Sequence, residues 1–244
     1  MDPEEFLPSP VAPPLPGPVL LTQDWRDVVF LHWPVPPESV AHLLPPGTRP
    51  DVLGGVTYVG IVAFRVTGTH VLGRVPVGRF NEFNVRLYSV DDRGRRGVVF
   101  MSLDADSPHN VAAARLLAGL RYMWAGTSIG TGPEGRIGYA CLRRCPGPRA
   151  ATRFRVRPGD PVARPSPMEV FVTARWGLHT RVLGGTRWVR IAHQPWRLHR
   201  AELTEFRDSL VGAAGIAVGE RPPPSVLWSP GVDAAVSLGA DPTP

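Results

Sequence analysis

The chain has 244 residues, enough for one substantial core, and its hydrophobic share of 43% suits a globular protein. Its 27 basic residues, all arginine, outnumber 21 acidic ones, yet they are scattered rather than gathered on one face. That pattern argues against nucleic acid as a partner, which needs a continuous basic surface with a groove-entering or base-stacking element. The lack of any lysine excludes a mechanism that holds substrate as a lysine imine.

Residues 1–18, MDPEEFLPSPVAPPLPGP, offer little surface to bury and are expected to form a disordered proline-rich arm. They lack the basic and apolar regions of a signal peptide. No apolar run approaches the 18 residues of a membrane span, so the protein is expected to be cytoplasmic and free of membranes. Residues 19–238 read as a single domain and 239–244 as a flexible tail. With 26 glycines and 29 prolines, turns should be many and long helices few.

Trp25–Trp33 is a mixed apolar stretch ended by Pro34, and a short helix is predicted at Glu38–Leu44 before Pro45 and Pro46. Val56–Val66 is rich in β-branched and aromatic residues and predicts a buried strand. Phe83–Val90 and Val98–Leu103 predict a hairpin across the charged turn DDRGRRG. Ser107 as N-cap and Pro108 at N1 open a predicted helix that aligns Val111, Ala114, Leu117 and Ala118 on one face, with Gly126 beyond its end. Ile137–Leu142 and Thr152–Arg157 are strand candidates on either side of a proline-glycine turn. Ser166 to Glu169 fits a capping box, so a helix is predicted over Pro167–Trp176. Leu178–Leu183 and Thr186–Ala192 flank Gly184 and Gly185, a two-residue hairpin signal.

Cys141 and Cys145 are four apart, which on a strand separates their Cα atoms by about 13 Å, too far for a disulfide. They read as reduced thiols, and no metal-ligand spacing accompanies them or the histidines. Neither a metal nor a cofactor is expected; the sequence also lacks a phosphate loop and a GxSxG elbow.

The most informative segment is Asn81 to Tyr88. Strand alternation puts Glu82, Asn84, Arg86 and Tyr88 on one face and Phe83, Val85 and Leu87 on the other. One reading is a half-exposed strand with a wet polar face. The other closes the sheet so that the polar row faces a small-molecule cavity. Arg86 would then clamp a carboxylate and Glu82 would transfer protons if burial raised its pKa. Ser102 and Asp104 share a face on the neighbouring strand and join the candidate binding set. Asp106 and Glu169 read instead as helix-terminus acids. His193 and Trp196, at a predicted strand end, are candidates for the ligand wall or for a packed corner.

The ordered series WRDVVFLHWPVP, LPPGTRPDVLGGVTYVGIVAFRVTG, EFNVRLYSV, VFMSLDADSP and AHQPWRLHRAEL resembles the YqjF-like family, a remote branch of the acetoacetate decarboxylase superfamily, over roughly residues 22–230. The resemblance implies a mainly β, α+β fold: an antiparallel β-barrel with a few flanking helices and an internal cavity. Arg115 to Met123 is similar to the decarboxylase stretch that ends in the imine-forming lysine, so Tyr122 or Met123 would stand where that lysine does. Glu82 lies in the region similar to their active-site glutamate strand.

The functional expectation is therefore a small-molecule protein for an oxo or carboxylate metabolite. Glu82 and Tyr122 would be its catalytic pair, and Asn84, Arg86, Tyr88, Ser102, Asp104, His193 and Trp196 its binding set. The alternative is a non-catalytic binder on the same scaffold. A proline-mediated interaction module is a third reading, and homo-oligomerisation is left open.

Overall fold

The computed structural model describes residues 7–107, 120–145, 147–219 and 221–237. Thirteen strands dominate: β1 (Leu21–Val35), β2 (Thr48–Pro50), β3 (Thr57–Val71), β4 (Val75–Pro76), β5 (Phe80–Asp91), β6 (Arg96–Ala105), β7 (Tyr122–Thr131), β8 (Ile137–Cys145), β9 (Ala151–Pro161), β10 (Gly177–Val182), β11 (Gly185–His193), β12 (His199–Asp208) and β13 (Ser225–Ser237). Short helices cover Pro37–Val40, Pro167–Thr173 and Leu210–Ala213.

The strands form one sheet that closes on itself twice. Pairing runs β1–β3–β5–β6–β10–β11–β13 and returns to β1 as a small ring. A second path, β1–β3–β5–β6–β7–β8–β9–β12–β13, returns to β1 as a larger ring. The junctions of β6 with β7 and with β10 are parallel, and the other pairings are antiparallel. Strands β1, β3, β5, β6 and β13 are common to both rings, so each has two interior faces.

That sharing explains the alternation in β5. Phe83, Val85 and Leu87 enter the main apolar core with Leu31, Ile61, Tyr139 and Phe154, inside the larger ring. Glu82, Asn84 and Arg86 face the small ring. Neither side of the strand is the half-exposed face of an open sheet.

The predicted hairpin of β5 and β6 is present, as is the capping box: Ser166 Oγ accepts from the Glu169 amide, and Glu169 Oε2 accepts from the Ser166 amide. The β10–β11 loop is Leu183–Gly184 rather than Gly184–Gly185, because Gly185 already pairs with Val182. The helix predicted after Ser107 lies outside the described residues. Beyond it, Gly126 sits inside β7.

Residues 7–18, expected as a free arm, run against the small ring. The carbonyls of Ser9 and Pro16 accept from Trp176 Nε1 and Ser237 Oγ, and Leu7 packs with the cluster around Phe171. A proline-rich segment has spare carbonyls, and side-chain donors on the ring satisfy these two. Among the described residues no helix is long and apolar enough to cross a membrane.

Candidate functional site

The small ring encloses a cavity of about 430 Å³. Its polar side is the β5 row of Glu82, Asn84 and Arg86, joined by Tyr122 at the start of β7, Arg175 and His193. Its other walls are mostly apolar, with Phe30, Val62, Phe64, Leu103, Ile191 and Trp196 among them.

Glu82 is buried at 5% exposure. Its Oε2 accepts from the Tyr122 hydroxyl at 2.7 Å and its Oε1 from Asn84 Nδ2 at 3.4 Å. Burial pushes the carboxyl up to about 7; the two hydrogen bonds pull against that, and the Asp104 charge adds to it. Burial and the adjoining Glu82 charge also raise the Tyr122 phenol well above its ordinary value. Glu82 is thus a carboxyl poised near neutrality, with the neutral Tyr122 phenol as its hydrogen-bond donor. Asn84 Oδ1 is buried with no hydrogen-bond partner.

Arg86 extends the other way along β5. Its Nε donates to the Tyr88 hydroxyl at 3.1 Å and its Nη2 to the Val172 carbonyl at 2.7 Å. Its guanidinium lies 5.7 Å from the Phe30 ring centroid. Tyr88 itself is fully buried as the hub of this network, hydrogen-bonded to Val172 O at 3.0 Å and to His32 Nε2 at 2.6 Å. His32 is held neutral: burial, then Arg86 and Arg175, drive its pKa well below the usual value.

Arg175 packs 4.8 Å above the Tyr88 ring and pairs with Asp51, which also takes a two-pronged bond from Arg96. One carboxylate thus serves two arginines, while no carboxylate pairs with Arg86 among the described residues. Arg175 Nη2 is buried without a hydrogen-bond partner. An excess of positive charge, from partly buried Arg86 and buried Arg175, therefore adjoins the cavity, the condition under which an anion is stabilised.

His193 Nδ1 donates to the Gln194 carbonyl at 2.6 Å, which leaves Nε2 as an acceptor. Burial lowers its pKa to about 4, the Gln194 bond opposing and Arg86 assisting, so it is neutral at physiological pH. It packs against Trp176 and Trp196 at 4.7 and 4.5 Å. Trp196 is stacked on Trp25 and anchored by Nε1 to the Thr173 carbonyl.

Seven of the nine candidate residues thus meet at or immediately behind the cavity: Glu82, Tyr122, Asn84, Arg86, His193 and Trp196 line it, and Tyr88 supports it. Ser102 and Asp104 do not join them. They pair in register with Val85 and Phe83 and so face the larger ring. There Asp104 is held by Arg143 through Nε at 2.6 Å and Nη2 at 2.8 Å, with Ser102 Oγ donating to Asp104 at 2.9 Å. Alternation predicted that the two residues share a face but gave no sign of which ring it enters. Asp106 accepts from the Asn81 amide and from Thr127, tying β5 to β7. Sequence reading missed His32 and Arg175; a lone charge inside the apolar run FVTARWGL was the available signal for Arg175.

The fold is that of the acetoacetate decarboxylase-like proteins. The chain superimposes on acetoacetate decarboxylase from Legionella pneumophila with a TM-score of 0.62 at 10% identity, covering 92% of this chain and 88% of that one. An acetoacetate decarboxylase-like enzyme from Sphingomonas wittichii RW1 matches with a TM-score of 0.57 at 14% identity, over 90% and 91% of the two chains. The enduracididine biosynthesis enzyme MppR, complexed with pyruvate, matches with a TM-score of 0.56 at 17% identity, over 90% and 88%. Within that fold the chain belongs to the DUF2071 family of uncharacterized conserved proteins, whose model matches residues 22–233. It is 30% identical over 209 residues to the protein YqjF of Bacillus subtilis, covering 84% of this chain and 85% of that protein. At 10–17% identity the solved structures define the fold alone, and the chemistry rests on the side chains described above.

Proposed function

We propose that this protein binds a small carboxylate or oxo-acid metabolite in the small-ring cavity and exchanges a proton with it through Glu82, without a covalent imine. The carrying observation is that one cavity holds a carboxyl poised near neutrality, bonded to Tyr122, together with an arginine that no carboxylate pairs with among the described residues. The pyruvate bound to MppR shows that a related fold takes a small oxo acid. In this chain, where no lysine exists, ionised Glu82 would take a proton from a carbon beside a carbonyl. The electron pair moves to the carbonyl oxygen as an enolate, which hydrogen-bond donors stabilise. Once Glu82 carries the proton, its own O–H can turn to Tyr122, and the phenol becomes free to donate to that oxygen.

The test is wash-in of solvent deuterium into a panel of oxo acids, followed by NMR. Exchange with the wild type that disappears in Glu82→Gln supports the proposal. A panel that binds but never exchanges supports the second reading, a non-catalytic binder, which the large apolar share of the wall favours. Native mass spectrometry that retrieves an unaltered ligand would favour it further.

A further inference from the structure

Glu82 and Arg86 share one face of β5 but stand four residues apart, which places their Cα atoms about 13 Å from each other at roughly 3.3 Å per residue. Their head groups do not close that gap. Arg86 is drawn toward Tyr88 and Val172, away from Glu82, while the Glu82 carboxyl is held by Tyr122 and Asn84. Consistently, Arg86 is not among the groups that shift the Glu82 pKa. The span between them is faced by Val62 and Phe64, their partners across the β3–β5 ladder being Asn84 and Glu82, and by Phe30, Leu103 and Trp196. A 2-oxo or 3-oxo acid carries its carbonyl within one or two bonds of its carboxylate and would leave most of the wall between the two heads uncovered. The cavity of about 430 Å³ is also far larger than such a molecule; it equals the share of about fourteen waters at roughly 30 Å³ each.

We infer that the cavity takes an amphipathic monocarboxylic acid with a medium-length alkyl or arylalkyl body. Its carboxylate sits on Arg86, its body lies along the Phe30–Phe64 wall, and its distal end reaches Glu82 and Tyr122. The inference rests on the carboxylate reading proposed above and assigns the class of acid. Each methylene that leaves water for this wall should tighten binding about fourfold.

The experiment is isothermal titration of the full chain with octanoate, butyrate, octanamide, pyruvate and acetoacetate. Octanoate, four methylenes longer, is expected to bind about 250-fold tighter than butyrate, and octanamide at least tenfold weaker than octanoate. Arg86→Gln should abolish the gap between octanoate and octanamide; if that variant fails to fold by circular dichroism, the wild-type pair still decides the matter. Pyruvate or acetoacetate binding as tightly as octanoate, or butyrate equalling it, overturns this inference and leaves the carboxylate proposal standing. Octanamide equalling octanoate in the wild type removes the carboxylate proposal and this inference with it.

Discussion

Tyr122 donates its phenolic hydrogen to Glu82 across 2.7 Å, joining the first residue of β7 to the second inward position of β5. The bond favours the ionised carboxylate against the burial that disfavours it. Removing it in Tyr122→Phe should therefore move the Glu82 pKa further above about 7. An NMR titration of the carboxyl carbon should show the upward shift, and any deuterium exchange should move its pH profile to the alkaline side by the same amount. A downward shift would mean that the phenol does not stabilise the anion.

The same displaced pKa has a cost in stability. Glu82 rises from an unperturbed 4.5 to about 7 on folding, so the unfolded chain releases its proton first as pH increases. The contribution of protonated Glu82 is intact below pH 4.5 and is lost progressively as pH rises through 7. A shift of this size corresponds to about 3 kcal/mol. Glu82→Gln, which carries no charge to bury, should gain stability over the wild type in urea melts at pH 8 and show little of that gain at pH 4.5. Equal gains at both pH values would contradict the assignment.

How far the sequence foretold these features depended on whether a signal was local. The alternation of β5, the capping box at Ser166 and the β5–β6 hairpin are short-range patterns, and all are present. Strands β12 and β13 went unassigned, because HRAELTEFRD reads as a polar surface and β13 is interrupted by Pro230 and Gly231. The two rings depend on contacts between distant strands, such as β1 with β13, which no local pattern encodes. Asp104 shows the result at the site. Its neighbour relation to Ser102 was legible, but its true partner, Arg143, is 39 residues away.

Gly60 lies across the β1–β3 ladder from His32, and a Cβ there would come 2.6 Å from the imidazole. The missing side chain is what lets His32 reach Tyr88 and, through it, Arg86. Gly60→Ala should cost about 1–3 kcal/mol through overpacking. It should also weaken carboxylate binding without shifting the Glu82 pKa. Chemical denaturation and titration with octanoate check the two halves separately.

Asp104 and Arg143 form an ion pair that is almost wholly buried, with side-chain exposures of 0% and 2%. Asp104→Asn would leave the arginine charge uncompensated, a change worth about 3–5 kcal/mol of stability. Because the pair faces the larger ring, ligand affinity measured well below the melting range should stay close to that of the wild type. A large loss of affinity in a folded Asp104→Asn protein would return Asp104 to the binding set.

Leu183 occupies the tip of the β10–β11 hairpin with a φ of 50°, a left-handed conformation that costs an ordinary L-residue about 1–2 kcal/mol. It is followed by Gly184 at a φ of 82°, so both loop positions have the positive φ that a tight hairpin turn requires. The leucine side chain is fully exposed and repays none of this cost by burial. Asparagine tolerates the same conformation through its short polar side chain. Leu183→Asn should therefore stabilise the fold by about 0.5–1 kcal/mol while leaving ligand binding unchanged, since the tip is not part of the cavity wall. Leu183→Pro, which fixes φ near −65°, should do the opposite and open the hairpin. Paired thermal melts of the two variants check the expectation; a gain from proline or a loss from asparagine would show that the turn is not held in this geometry.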